Sequence, residues 1–474
     1  MSPVFDEAKY RALLEKLEIC IIKNNELERS LRIDAEFYKK ENLMIANKLK
    51  LLGAIPITNY LNVSDGNHMA ISEKFIESGI PYYRGQDINH FFIENSTPIC
   101  IDDDSFQSSF MKRSHLQLGD ILLSIIGTIG GISLVTSTRK ATCSCKLAIL
   151  RCKQNYSSEI FAAFLYSKFG QNQIKKFIRG AVQMGFLLED MDQILIPEFS
   201  KFFIDTINTE ISYAQNKQKE SIDNYVLAEQ LLLQELGLMN WQPDDESVAT
   251  KTFADLQNSG RLDAEYYQPK YDEYLAKVKS YSGGVSTLAN HFEQNKTTTT
   301  FSLPQYNYIE IGDINVSNGE ASFNLVQTEE LPANAKYVIQ QGDILISKVR
   351  PYRGAVSIID FEPQNVIASG AFTILRENGA IRKEVLSTLL RTPLYKDWLL
   401  KWNVGSSYPV IKDEDILNLT IPVIKQEIQD QIAAKVQESF ALRKESKRLL
   451  NLAKHAVEVA IEQGEDAAMK LLEN

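Results

Sequence analysis

The densest chemistry in the 474-residue sequence is Lys348-Val-Arg350-Pro-Tyr352-Arg353, three cations and a tyrosine in one short run. It follows an apolar run, Ile344-Leu-Ile-Ser347, and contains a proline, the pattern of a strand feeding a projecting turn. Guanidinium groups on such a turn can grip phosphate or make paired hydrogen bonds to guanine. A charged hairpin turn without a ligand is the competing reading. Other basic clusters stand at Lys112-Arg113, at Arg139-Lys140 with Lys146, and at Lys175-Lys176 with Arg179.

No catalytic constellation accompanies these cations. Gly127-Thr-Ile-Gly-Gly131 is the richest glycine stretch, but it lacks the Lys-Ser/Thr of a phosphate loop and the spacing of a dinucleotide fingerprint. No Asn-Pro-Pro-aromatic or Asp-Pro-Pro-aromatic run marks an amino-methyltransferase. The histidines (His68, His90, His115, His291, His455) have no metal-ligand spacing, and Cys143-Ser-Cys145 suits a half-buried strand better than a zinc site. Asp34 and Glu36 recur as Asp263 and Glu265, where structural hydrogen bonding is the favoured role. The pattern is that of a reader rather than a catalyst, with no cofactor and no metal expected in this chain.

The elements that must position the cations are written twice. Leu31-Arg-Ile-Asp-Ala-Glu-Phe-Tyr38 recurs as Gly260-Arg-Leu-Asp-Ala-Glu-Tyr-Tyr267. Leu116-Gln-Leu-Gly-Asp-Ile-Leu-Leu-Ser124 recurs as Ile339-Gln-Gln-Gly-Asp-Ile-Leu-Ile-Ser347. Gly131-Ile-Ser-Leu-Val matches Gly354-Ala-Val-Ser-Ile, and Leu147-Ala-Ile-Leu-Arg151 matches Phe372-Thr-Ile-Leu-Arg376. Glu189-Asp-Met-Asp-Gln-Ile-Leu-Ile-Pro197 matches Glu414-Asp-Ile-Leu-Asn-Leu-Thr-Ile-Pro422. Five motifs recur in one order at a nearly constant offset, which makes the chain a tandem duplication. Residues 60–115 and 290–338 share little beyond Gln86-Asp-Ile88 and Gly312-Asp-Ile314.

Each copy is expected to be a mixed α/β (α+β) domain, with short strands after the Gly-Asp turns and helices at 158–179 and 381–402. Long helices are predicted from Ile207 to Leu238 and from Glu427 to about Gln463. Their stripes are Ile207, Ile211, Ala214, Ile222, Tyr225, Leu232 and Leu236, and Ile428, Ile432, Val436, Phe440, Leu449, Ala453, Ala456 and Ala460. Ala12-Leu-Leu-Glu-Lys-Leu-Glu-Ile19 resembles Leu231-Leu-Leu-Gln-Glu-Leu-Gly-Leu238, so the repeat is cyclic and pseudo-twofold. The expected organisation is an N-terminal helix over 1–27 packed with the C-terminal helix, a first domain over 28–204 and a central spacer helix over 205–240. A linker and second domain follow over 241–424, then a long helix over 425–474 antiparallel to the central one.

Composition sets the class. Apolar residues make up 44% and charged residues 24%, the balance of a folded globular protein. No apolar run reaches the roughly 18 residues of a membrane span, and no secretory signal is visible at the start. Five cysteines without a paired framework suit a reducing compartment, so a cytoplasmic location is expected. The net charge of −10 weighs against a nucleic-acid binder taken whole. Regionally, residues 39–200 carry +2, residues 201–250 carry −6 and residues 268–424 carry −2. Much of the acidity thus lies on the central helix and its following linker, either as a solvated face or as a surface for basic partners.

The ordered motifs resemble the specificity subunits of type I restriction–modification enzymes over nearly the whole chain. The resemblance rests on the Gly-Asp-Ile-Leu-(Leu/Ile)-Ser strands, Ser64-Asp-Gly-Asn-His68 in the first variable region, the Ile-Pro ends before long helices, and the cyclic duplication. It implies two target-recognition domains that each read half of a split double-stranded DNA site, held apart by two antiparallel helices. It further implies docking of two methyltransferase subunits and of restriction/translocase subunits, with S-adenosylmethionine, ATP and Mg on those partners. Position and chemistry then select Ser64, Asp65, Asn67, His68, Arg84, Lys112, Arg113 and Lys146 for the first half-site. For the second they select Lys348, Arg350, Tyr352, Arg353, Ser406, Ser407 and Tyr408. Many family members have a Gln shortly after the late Gly; Gly180-Ala-Val-Gln183 keeps it, and Gly405-Ser-Ser-Tyr408 has Tyr. Two other classes stay open on the sequence: a self-contained DNA methyltransferase or nuclease, and a duplicated protein-binding adaptor.

Overall fold

The computed structural model describes residues 20–24, 32–96, 98–153, 156–180, 184–244, 248–362, 364–405 and 408–473, with Asp6 and Leu27. The chain forms two compact units: residues up to 216 with 445–474, and residues 217–444. The division falls within both long helices rather than at their ends. Most of the expected helix over 1–27 lies outside the described residues; Ile22 and Leu27 pack on the core of unit 1.

Unit 1 runs α1 (Lys40–Leu51), β1 (Ile55–Pro56), β2 (Leu61–Asp65), β3 (Phe75–Ile76), β4 (Ile80–Tyr83), β5 (Ile99–Ile101), α2 (Asp103–Gln107), β6 (Ile121–Ser124), β7 (Ile132–Leu134), β8 (Thr142–Cys143) and β9 (Leu147–Cys152). It continues with α3 (Ser158–Tyr166), α4 (Lys168–Lys176), β10 (Leu195–Ile196) and the first half of α5 (Lys201–Glu235). Unit 2 runs α6 (Phe253–Ser259), α7 (Pro269–Lys279), β11 (Val285–Thr287), β12 (Phe292–Gln294), β13 (Gln305–Ile309), β14 (Asn324–Gln327), β15 (Ala335–Val338), β16 (Ile344–Ser347), β17 (Val356–Ile358), β18 (Val366–Ser369) and β19 (Phe372–Glu377). After them come α8 (Lys383–Leu390), α9 (Pro393–Trp398), α10 (Asp413–Leu417), β20 (Thr420–Pro422) and α11 (Gln426–Gln463), whose second half, with α12 (Glu465–Leu472), belongs to unit 1.

Both units share one architecture. The main sheets are ordered β2-β9-β6-β7 and β12-β19-β16-β17, all antiparallel. The second sheets are β3-β5-β4-β8 and β14-β13-β18-β15, each with one parallel pair, β4 with β8 and β13 with β18. The Gly-Asp strands are apolar without alternation because both of their faces are covered. Ile121 and Leu123 face the helices with Phe161 and Ile207, whereas Leu122 and Ile149 face the second sheet with Tyr83 and Cys143. Ile344 and Ile346 face the helical side of unit 2, and Leu345 and Ile374 face its second sheet.

The aspartate that opens each strand holds the frame. Asp120 accepts the Gln117 backbone N–H at 2.8 Å and both Nε and Nη2 of Arg151 at 2.7 Å. Asp343 accepts the Gln340 N–H at 2.8 Å, Arg376 at 2.9 and 3.1 Å, and the Asn295 amide at 3.1 Å. The preceding glycines adopt φ of +85° at Gly119 and +90° at Gly342, a region open to residues without Cβ. The repeated Gly-Asp and Ile-Leu-Arg motifs are therefore the two sides of one ion pair, its carboxylate buried and its arginine partly exposed.

The expected long helices form, with the first starting at Lys201 rather than Ile207 and the second at Gln426. The buried face of α5 runs Ile207, Ile211, Ala214, Gln218, Ser221, Ala228 and Leu232, with Tyr225 half-buried. Its heptad-like spacing keeps a seam toward a partner helix. In unit 1 this face and Leu449, Ala453 and Ala456 of α11 share one core. In unit 2, Ser221 and Ser439 exchange hydroxyl-to-carbonyl hydrogen bonds at 2.8 Å. Ile222, expected on the stripe, is 41% exposed; the seam is polar there and Ser221 occupies it.

Candidate nucleic-acid interface

In unit 1 the end of β2, the end of β6 and the start of β9 meet at one end of the main sheet, pairing Asp65 with Ala148 and Ser124 with Leu147. The 66–69 turn is stitched to the 143–145 turn, with the Asn67 N–H on Cys143 O at 2.8 Å and the Cys145 N–H on Asn67 O at 2.9 Å. The 125–131 loop lies beside Gly185 and Phe186, where the Phe186 N–H bonds Ile125 O at 2.9 Å. Gly85 sits under this loop; a Cβ there would come 3.2 Å from both Ile126 O and Ser124 Oγ.

This end gathers most of the residues chosen for the first half-site. Asp65 is buried and pairs with His68 Nε2 at 2.6 Å and with the Arg113 guanidinium, while His68 and Arg113 stay open to solvent. Ser64, Lys112 and Lys146 are exposed. Arg84 is half-buried, and its N–H and Nε donate to Asp87 at 2.8 and 3.3 Å. Burial raises the Asp87 carboxyl above its ordinary range, against the pull of the Arg84 contacts. Asn67 is buried and commits its amide to Met69, accepting its N–H at 3.0 Å and donating to its carbonyl at 2.9 Å. It shapes the turn and does not present an edge to solvent.

In unit 2 the corresponding end is where β16 ends and β19 begins, with Ser347 opposite Phe372. The 348–353 turn is held on two sides. The Lys348 N–H bonds Ala371 O at 2.9 Å, the Ile411 N–H bonds Lys348 O at 2.9 Å, and the Arg350 N–H bonds Pro409 O at 2.8 Å. Val404 and Val410 bridge to each other, and Val410 also bridges to Val349, so this pair forms the base of a hairpin against the turn. Arg350 has φ +47°, and its guanidinium carbon lies 5.2 Å from the centroid of Tyr408, which is 61% exposed. Tyr352 is half-buried, and Arg353 is exposed on a short 3₁₀ turn. Lys348 is tethered: its Nζ lies 3.1 Å from Asp413 Oδ1. Burial works against ionisation of Asp413, but the Thr373 hydroxyl and Lys348 outweigh it and hold the carboxyl below its ordinary range. Ser406 and Ser407 lie outside the described residues.

Sequence reasoning missed the brace beneath this loop. Arg261 donates to the Asn403 carbonyl at 2.7 Å and the Trp402 carbonyl at 3.3 Å, where the hairpin begins. Asp263 grips the same guanidinium at 2.7 and 2.9 Å, and Tyr266 lies under it at 4.9 Å. Arg32, Asp34 and Phe37 repeat the local arrangement in unit 1, with Nε–Oδ2 at 2.8 Å and the stack at 4.6 Å. The Asp34 and Asp263 carboxyls are held below their ordinary range, chiefly by these arginines. The signal was the repeated Arg-(Ile/Leu)-Asp-Ala-Glu motif itself; its aspartates are structural.

Residues 283–451 match the family model of the type I restriction modification DNA specificity domain. The specificity subunit of the HindI type I restriction enzyme of Haemophilus influenzae is 28% identical over 164 residues, 33% of this chain and 34% of the relative. The match thus spans about a third of that relative's length. Among solved structures, the S subunit of a type I restriction–modification system from M. genitalium overlays with a TM-score of 0.37 at 14% identity, covering 88% of this chain and 95% of the other. The HsdS subunit of Thermoanaerobacter tengcongensis gives 0.26 at 13% identity, covering 85% and 97%. The matched DNA specificity domain thus lies in the second half of the chain, and the repeated motifs stand in the same order in the first half.

Proposed function

We propose that the chain reads the two halves of a bipartite double-stranded DNA site and performs no chemistry itself. The observation that carries this reading is a duplicated frame whose equivalent sheet ends bear unlike loops: Ile125-Ile-Gly-Thr-Ile-Gly130 in one unit and Lys348-Val-Arg-Pro-Tyr-Arg353 in the other. Identical ends would suit a palindromic site, whereas unlike ends suit two different half-sites. Unit 1 offers Ser64, Arg84, Lys112, Arg113, His68 and Lys146, with Asp65 and Asn67 shaping the turn. Unit 2 offers Arg350, Tyr352, Arg353 and Tyr408, with Lys348 fastening the turn; Ser406 and Ser407 directly precede Tyr408 in the sequence.

The two long helices act as the spacer and dock two methyltransferase subunits, which bring S-adenosylmethionine and flip the target adenine. Restriction/translocase subunits add ATP and Mg. No described helix is long and apolar enough to cross a membrane, in keeping with a cytoplasmic site of action. Co-expression with the cognate methyltransferase subunit and mapping of methylated adenines should give one split motif. Methylation by the isolated chain would favour a self-contained enzyme instead. Absence of any chain-dependent motif or DNA affinity in the complex would favour an adaptor.

A further inference from the structure

We propose that Arg350 selects a guanine in the half-site read by unit 2, with Tyr408 as the platform for its guanidinium; the inference rests on the DNA-specificity reading above. Among the described residues only Arg350 and Asn365 are non-glycine residues with positive φ. Asparagine is enriched in that region, whereas arginine adopts it only at a cost. In the alignment that places Ser124 on Ser347, the unit 1 equivalent of Arg350 is Gly127, at φ +86°. The frame therefore imposes a left-handed residue at this point of the loop. One unit fills it with the residue that suits the backbone, and the other with a bulky cation that does not. Strained backbone of this kind persists where surrounding contacts over-determine it, and it concentrates at functional sites.

Those contacts are present. The Arg350 N–H is bonded to Pro409, the flanking Lys348 backbone is bonded on both sides, and Pro351 follows directly. The guanidinium then meets the face of Tyr408 on the facing segment. Stacking fixes the plane of the fork, and a fixed planar fork is what the O6 and N7 acceptors of guanine require in the major groove. A phosphate contact requires neither a fixed plane nor a strained backbone. Exposed Arg353 on the next turn suits that role, and Lys348 is occupied by Asp413.

The test uses the chain in complex with its methyltransferase subunit. Arg350→Gly should leave the thermal midpoint unchanged or higher while reducing preference for one guanine in the second half-site on the order of 10- to 100-fold. The first half-site should be unchanged. Arg350→Lys, which keeps charge and strain but not the fork, should lose the same preference, and Tyr408→Ala part of it. A 7-deazaguanine at that base should weaken binding to the wild-type complex and not to Arg350→Gly. A uniform fall in affinity with an unchanged motif would make Arg350 a phosphate contact and overturn the proposal. So would a second half-site without guanine. A wild-type complex that marks no defined sequence would instead sink the specificity-subunit reading itself.

Discussion

Replacing Asp343 by Asn tests whether the repeated Gly-Asp motif is the anchor of the frame. The wild-type carboxylate is fully buried and accepts four hydrogen bonds, two from Arg376, one from the Gln340 backbone and one from the Asn295 amide. An amide of the same size keeps one acceptor oxygen and turns a donor toward groups that are all donors. With the amide oxygen in the place of Oδ2, which accepts three of the four, the Arg376 Nε bond is lost and the others lose their charge assistance; a bond to a charged group contributes about 1.5–3 kcal/mol. Arg376 is 39% exposed and recovers part of that through water, so the net cost should be about 2–4 kcal/mol. Arg376→Ala should cost about 3–5 kcal/mol, because it strands a buried carboxylate. The double substitution should cost less than the sum. Two units do not unfold as one two-state system, so the assay is hydrogen exchange on β16 and β19 amides, with β6 and β9 as the internal reference. Asp120→Asn should give the mirror result. A cost below about 1 kcal/mol, under the value of even one charge-assisted bond, or equal loss of protection in both units, would refute the assignment.

Excising one heptad from α5 and one from α11 removes one repeat of the seam, about 10 Å at roughly 1.5 Å per residue. The unread spacer should shorten by about three base pairs with both half-sites unchanged; methylation mapping that returns the original spacer contradicts this. Asp263→Asn should lower stability at neutral pH by under about 1 kcal/mol, since the Arg261 pair is partly exposed. Because the folded Asp263 carboxyl sits below its unfolded value, its contribution is present above about pH 4 and lost as pH falls through the folded value. Hydrogen-exchange protection of unit 2 amides in variant and wild type should therefore converge in acid, and a gap that persists there counts against the pair. Burial pushes the Cys143 thiol up, and pushes Cys152 up to about 12. Iodoacetamide in mildly alkaline buffer should leave both unmodified in the folded chain and modify both in denaturant, read by mass spectrometry; stoichiometric Cys143 labelling in the native state would show that β8 opens.

What the sequence disclosed was what local chemistry encodes. A Gly-Asp turn before a short apolar run announces its strand, and a stretch free of proline and internal glycine announces α5 and α11. Ile222 was misplaced because counting apolar residues assumes an apolar seam, whereas Gln218 and Ser221 occupy its middle. The second sheets were illegible. Their strands are very short, and β4 pairs with β8 across a long stretch of divergent sequence. At the site, the cations of the 348–353 turn were visible, but their division of labour was not. Lys348 is tethered by Asp413, a carboxylate remote in the sequence, and Asn67 is consumed by its own turn. The left-handed Arg350 did leave a trace, since the duplication aligns it with Gly127.

The ion pairs also bear on how an acidic chain would read DNA under the proposed function. The ion pairs Asp120–Arg151 and Asp343–Arg376 consume cations to build the frame, and Lys348 and Arg261 consume two more to fasten one loop. A census of charge counts all of these as if they could meet phosphate. Each of them is a cation withdrawn from the non-specific electrostatic term that dominates most DNA affinity. On the reading proposed above, discrimination would come from a few preorganised edge contacts, of which the Arg350–Tyr408 stack is the best formed. If the chain reads DNA as proposed, two such sparse readers should grip a duplex weakly unaided. The remaining phosphate contacts would then, on that reading, fall to docked methyltransferase subunits, so that sequence choice and grip would reside in different polypeptides.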